Sequence, residues 1–403
     1  MRFFFALVLT IAPVAAQPIL IQNVSVIDTA AGSLRRTDVL VAGQKIISVG
    51  PTGKVPAGAQ IVNATGKFLI PGLWDMHVHL WEAEPMLNLY VANGVTGVRD
   101  MGSDFARTKQ WRAEVSSGRR IGPQIYSSGS PLEGPHGPSG KLPLLRVTTP
   151  EEARTSVDRL DNGGVDFIKV LSALRREEYE SLAQRARVRR IAFAGHVPDD
   201  VPLDVAIDLR QKSMEHLFGM LFSFSPLEPT LRTRYAKARI KGDLAEIARV
   251  HQRAVETFSE TLALKLFRRM AAYDVAQCPT LTLLQRMALI GLEGITRDPR
   301  SRYVPLSVRS GWQDPMAAIR AATPERLTAA EVEWILQKRI VEMMARSGVT
   351  LLAGTDTGDD YVLPGFTLHD ELALLVEAGV SPLQALQAAT LNPARFFGVE
   401  QLQ

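Results

Sequence analysis

The sequence predicts an α/β chain, a (β/α)8 TIM barrel preceded by a small N-terminal β-domain. Three observations carry this. Short apolar, strand-like runs recur eight times between Phe68 and Asp356, with amphipathic helical stretches between them, the alternation that builds a parallel sheet. At 403 residues the chain is long enough for one barrel and an accessory domain. Residues of metal-ligand type fall at the ends of the runs, and a barrel gathers strand ends at one face.

The elements follow in order. Arg2, the apolar stretch Phe3 to Ile11 and the small residues Val14-Ala15-Ala16 read as a signal peptide over residues 1–16. That stretch is too short for a membrane anchor, so a secreted or periplasmic protein is expected. Residues 17–70 read as the small β-domain, with strands at Ile19–Ile21, Asp38–Val41, Lys45–Val49 and Gln60–Val62. Asn23-Val24 and Ala42-Gly43 supply turn chemistry between them. Residues 71–403 read as the barrel. Its eight strands are expected at Phe68–Leu80, Val95–Asp100, Gln124–Ser128, Asp166–Leu171, Arg190–His196, Ser213–Leu217, Ala276–Thr280 and Thr350–Asp356. Helices are expected at Pro150–Asn162 and Glu177–Val188. Two long connections, after strands six and seven, are rich in helix formers over Asp243–Ala272 and Pro324–Ser347. They either wall the pocket or build a subunit contact.

Composition narrows the function classes. Hydrophobic residues make up 46% and charged residues 22% of the chain, the balance of a folded protein. The formal charge of +4 comes from arginines scattered along helices. No dense basic run carries interleaved aromatics, so no nucleic-acid partner is expected. Cys278 is the single cysteine. It lies in an apolar run and reads as packing, so the fold stands without an internal disulfide.

The chemistry-bearing residues begin with His77 and His79 in Met76-His77-Val78-His79. Side chains at i and i+2 of a strand point to one side, and paired neutral imidazoles can hold a divalent metal. Lys169 sits inside the apolar run Asp166–Val170. His196 ends Ile191–His196, His216 ends Ser213–His216, and Asp356 ends Val349–Asp356. His136 lies in Glu133-Gly134-Pro135-His136-Gly137-Pro138, in a loop at the same face. It is either a substrate or oxyanion contact or a plain loop histidine.

Taken together, Pro71–His79, Asn93–Asp100, the lysine strand, the two later histidine strands, Ala353-Gly354-Thr355-Asp356, Leu368–Leu372 and Ala388–Ala394 resemble the amidohydrolase superfamily. The likeness is to its prolidase-like and imidazolonepropionase-like branch. The resemblance implies a binuclear hydrolase with two divalent metal ions, zinc being the expected metal. It implies that His77, His79 and Asp356 hold one ion and that His196 and His216 hold the other. Lys169 would bridge them as a CO2-derived carbamate. Chemistry agrees, because an ammonium beside two cations is repelled, whereas burial favours the neutral amine that reacts with CO2. A hydroxide shared by the metals would attack the carbonyl, with Asp356 as the proton carrier. The implied reaction is hydrolysis of an amide or peptide C–N bond in a small substrate, such as an Xaa-Pro dipeptide or an N-acyl amino acid. A homo-oligomer is compatible with the resemblance.

Two alternatives stay open: a mononuclear cyclic amidohydrolase or deaminase, which the bridging lysine disfavours, and a non-catalytic decayed barrel. Arg99 and Asp100 are expected to pair with each other as scaffolding. His369 is expected to be structural and His251 exposed. Family members continue past Pro393 with strands that complete the β-domain, so this β-domain is expected to lack its usual C-terminal strands.

Overall fold

A computed structural model describes residues 17–80, 86–137, 142–314 and 316–400. The expected signal peptide, residues 1–16, lies outside the described residues. The chain divides into two compact units between Pro71 and Gly72.

The first unit is a five-stranded sheet. Strand β1 (Ile19–Asp28) pairs antiparallel with β2 (Ser33–Ala42) and parallel with β4 (Gln60–Asn63) and β5 (Phe68–Leu69). Strand β3 (Lys45–Val49) pairs antiparallel with the outer side of β2. The turn expected at Asn23-Val24 is instead a bulge within one ten-residue strand. Asn23 adopts φ 59° there, a left-handed conformation that asparagine tolerates in bulges as in turns. Leu20, Val24, Val39 and Ala64 are buried, while Ile46, Ile47, Ile61 and Phe68 are exposed.

The second unit is α/β, and its strand pairs are parallel. Strands β6 (Leu73–Val78), β7 (Val95–Asp100) and β8 (Gln124–Ser127) form one sheet in sequence order. A second sheet runs β10 (Leu145–Arg146), β9 (Leu132–Glu133), β11 (Ile168–Val170), β12 (Phe193–Gly195), β13 (Ser213–Glu215), β14 (Ala276–Cys278). The run expected as Phe68–Leu80 breaks at Pro71-Gly72. Its first two residues pair in the β-domain sheet, the rest in the second unit. Thr350–Asp356, expected as a strand, makes only isolated bridges: Leu351 to Gln277 on one side and Thr357 to Val78 on the other. The amides of Leu352 and Met76 add bonds to Gln277 and Ala353.

Between the strands, Pro150–Gly163 shows why a helix starts where it does: Thr149 Oγ1 accepts from the Glu152 amide, Pro150 opens the first turn, and Gly164 closes it at φ 85°. The connection after β13 folds as helices Glu228–Lys241, Leu244–Glu256 and Glu260–Ala272. The one after β14 runs through short helices to Pro324–Arg346. In this second connection Val304, Val308 and Trp312 pack with Met86 and Leu363. They line a cavity with His79 and Thr357, so this excursion walls that cavity. Cys278 is fully buried with Trp74, Met76 and Leu352. Among the described residues no helix is long and apolar enough to cross a membrane.

Candidate functional site

Six of the sequence-predicted residues converge, His77 and Lys169 from within β6 and β11, and His79, His196, His216 and Asp356 from just beyond β6, β12, β13 and along the run after Val349. His77 Nε2 lies 3.2 Å and His79 Nε2 3.3 Å from Asp356 Oδ1. Lys169 Nζ is 3.5 Å from His77 Nε2. The His216 ring is 4.3 Å from that of His77 and 5.1 Å from that of His196, centroid to centroid. His77, His79, Lys169, His216 and Asp356 are buried, and His196 is partly so.

The four histidines share one arrangement, in which each Nδ1 is already engaged. His77 Nδ1 lies 2.9 Å from Glu215 Oε2, and His79 Nδ1 lies 2.9 Å from the Gly102 carbonyl. His196 Nδ1 meets Ser172 Oγ at 2.7 Å, and His216 Nδ1 meets Thr280 Oγ1 at 2.6 Å. Both His77 and His79 face acceptors, so each carries its proton on Nδ1 and turns the bare Nε2 inward. Asp356 Oδ1 is buried and accepts no hydrogen bond among the described residues. Three acceptor atoms within 3.2–3.3 Å of contact, with no proton between them, are a poor arrangement for a protein alone and a fitting donor set for a cation.

Electrostatics push the same way. Burial lowers the pKa of His77, His196 and His216, keeping the imidazoles neutral. Burial also lowers Lys169, to about 8, which makes a neutral amine accessible near neutral pH. His79 is pulled down by burial, but contact with Asp356 reverses this and the net shift is upward. Asp356 itself is raised by burial yet held well below the usual carboxylate range by His77 and His216.

Local sequence sets this geometry. Gly195, before His196, has φ 133°, and a Cβ there would lie 2.1 Å from the Val170 carbonyl oxygen. Gly354 is needed for closeness: a Cβ would meet Cys278 Sγ at 2.6 Å and His77 Cβ at 2.8 Å. His216, Leu217, Thr280 and Asp356 all adopt positive φ, between 48° and 63°, turning the chain sharply where the site needs side chains redirected. Asp75 fixes the Asp356 segment by accepting from the Thr355 amide at 3.0 Å and from Thr355 Oγ1 at 2.7 Å.

Sequence reasoning missed Glu215. Its carboxylate accepts from Arg99 Nη2 with both oxygens at 2.9 Å, from Ser213 Oγ at 2.6 Å, and from His77. The Arg99–Asp100 pairing is therefore corrected. Neighbours in a strand point to opposite faces, and Asp100 instead accepts from Ser103 and Ser127. The available signal was Ser213-Met214-Glu215, where two polar residues at i and i+2 share a face of a buried strand. Despite burial, Arg99 and His77 hold Glu215 far below its ordinary pKa.

The structure does not bring His136 into the group. It is exposed in the turn after β9, and no contact among the described residues joins it to the other six. His369 Nε2 lies 2.9 Å from the Asn93 carbonyl, a structural tie. His251, expected exposed, is partly buried against Phe222 and Tyr235, because the helices after β13 fold back on one another.

Residues 333–402 match the sequence profile of the amidohydrolase family. A deacetylase of Agrobacterium fabrum is 37% identical over 93 residues, which cover 21% of this chain and 23% of the relative. The aligned part thus spans under a quarter of that protein. Among solved structures, bottromycin amidohydrolase aligns over 97% of this chain and 79% of its own with a TM-score of 0.73 and 24% identity. A putative prolidase from Bifidobacterium longum aligns over 96% and 85% with a TM-score of 0.65 and 22% identity. At these identities the likeness is one of fold.

Proposed function

We propose that this chain, a member of the amidohydrolase superfamily, is a binuclear metal-dependent hydrolase of C–N bonds in small substrates, built on a closed (β/α)8 barrel. Closure rests on the run after Val349, which bridges β14 on one side and β6 on the other. His77, His79 and Asp356 would hold one ion, and His196 and His216 a second. Lys169 would span both after its neutral amine adds CO2 and releases a proton. The observation that carries this reading is the set of Nδ1-anchored histidines turned toward an unpartnered, buried Asp356 Oδ1. When bound, the ions supply Lewis-acid polarisation of a carbonyl and lower the pKa of water.

The rest falls to the chain. Asp356 takes the proton of the attacking water and returns it to the leaving nitrogen. Glu215 fixes the tautomer of His77. The wall containing Val304, Val308 and Trp312 limits water and substrate size beside His79. Dipeptides and N-acyl amino acids are the substrate classes we assign. The support is the fold shared with a putative prolidase and the partial sequence match to a deacetylase.

The test is elemental analysis of the purified protein beside Lys169→Ala. About two divalent ions per chain, falling sharply in the variant, is the expected result. One ion, indifferent to the variant, would leave a mononuclear enzyme, and a folded protein holding none would sink the hydrolase.

A further inference from the structure

Arg286 is the group the mechanism leaves unused. It lies on the helix Leu281–Met287, which begins one residue after Thr280, the partner of His216. Its Nη1 is buried with no hydrogen-bond partner, and among the described residues no carboxylate forms an ion pair with its guanidinium. Arginine stays charged even when buried, because its pKa is too high to be brought into the neutral range. An unmet, buried guanidinium N–H in the wall of a cavity therefore asks for an anion from outside the chain.

Such a cavity is present. Arg286 lines a space of about 290 Å³ together with Thr282, Gln285, Tyr361 and Val362, close to the lower limit of small-molecule sites, roughly 300 Å³. Its two carboxylates, Asp298 and Asp370, are both engaged by Arg300, at 2.6–3.0 Å. Arg300 is thus committed, and Arg286 is the cation left open to a ligand. The cavity shares a wall with the one beside His79: Val362 lines both, Tyr361 and Val362 follow Asp356 along the same loop, and the carboxylates of Asp359, Asp356 and Asp360 reach Arg286 through charge.

Resting on the function proposed above, we propose that Arg286 receives a free carboxylate of the substrate, so that the C–N bond cleaved belongs to an acylated amino acid or a dipeptide. Chemistry selects this anion. The planar guanidinium fork matches a carboxylate bidentately. A phosphate would bring a second negative charge toward Asp298, Asp359 and Asp370. The side chains lining the cavity balance, two arginines against two aspartates, while Asp356, Asp359 and Asp360 reach Arg286 through charge, so a singly charged anion is favoured over a more highly charged one.

The experiment reads binding apart from hydrolysis. Metal-loaded protein is titrated by calorimetry with a panel of free L-amino acids and with the amines formed by removing their carboxyl groups. Arg286→Ala, Arg286→Lys and Arg286→Gln are run beside the unaltered chain, and each is checked for unchanged metal content. Expected is an amino acid that binds at least tenfold tighter than its amine. Arg286→Ala and Arg286→Gln abolish that preference while leaving the amine unchanged, and Arg286→Lys retains part of it. Equal loss of amino acid and amine, a preference that survives Arg286→Ala, no amino acid bound at millimolar concentration, or inorganic phosphate bound in its place would each overturn the assignment. Dipeptide and N-acyl amino acid turnover is followed separately. Failure of turnover with Arg286-dependent binding intact strikes the proposed hydrolase alone. Turnover that ignores both the carboxylate and the variants strikes Arg286 alone.

Discussion

Replacing Glu215 with Gln changes one atom and tests how the site is held together. Glu215 and Arg99 are both fully buried, and the carboxylate also accepts from His77 Nδ1 and Ser213 Oγ. The amide cannot serve all three partners. Turned either way, its NH2 faces Arg99 Nη2, donor against donor, because that nitrogen bonds both oxygens. In the orientation that places NH2 at the Oε2 position it also donates to His77 Nδ1 and drives that ring's proton onto Nε2, the atom 3.2 Å from Asp356. In either orientation Arg99 keeps a buried charge with no counter-charge. Breaking a buried pair from one side costs about 3–5 kcal/mol, and losing the partner that orients a metal-binding imidazole costs about 10–100-fold in metal affinity. Denaturant unfolding of metal-free protein reads the first effect, and competition with a chelator reads the second. If the variant unfolds within about 0.5 kcal/mol of the unaltered chain and holds metal as tightly, then the Arg99–Glu215–His77 chain is incidental and the reasoning fails.

Two further outcomes follow from the same packing and burial arguments. Gly354→Ala forces a methyl against Cys278 Sγ and His77, so a loss of about 1–3 kcal/mol with weakened metal retention is expected; a thermal scan and metal analysis matching the unaltered protein would contradict this. Burial pushes Glu371, which accepts from the Leu281 and Thr282 amides at 2.9 and 2.8 Å, up to about 8. The folded state therefore holds this proton more tightly than the unfolded chain, and the stability it confers is full below about pH 4.5 and fades as pH rises through about 8. Glu371→Gln should flatten the decline between about pH 4.5 and 8 in urea midpoints collected across that range, and parallel curves for the two proteins would refute the assignment.

The sequence displays some of this architecture and hides the rest for identifiable reasons. Lys169, His196, His216 and Asp356 were legible because each ends or interrupts an apolar run, and a polar residue there has few structural uses. Thr350–Asp356 was legible as an apolar segment but not as an irregular one. Its backbone bonds alternate between Gln277 and β6, which no local pattern records. The strand expected as Phe68–Leu80 was drawn across the break at Pro71-Gly72 because the residues on both sides are apolar. Arg99 was misassigned because its partner lies 116 residues away, while an acidic neighbour stood next to it in the chain. Arg286 gave no signal at all. Only the fold shows that its Nη1 is buried with no hydrogen-bond partner among the described residues.

The positive φ values at His216, Leu217, Thr280 and Asp356 carry a cost outside catalysis. A non-glycine residue in that conformation costs of order 1 kcal/mol, and four of them crowd around one centre. The region that gathers the histidines thus stores backbone strain, and metal ligation at the proposed centre would offset it. Resistance to heat and proteolysis should accordingly follow the trace-metal supply of the culture in which the protein is made. Glycine substitution at these positions, a common route to sturdier proteins, would relax the backbone only by giving up the side chains for which it is bent.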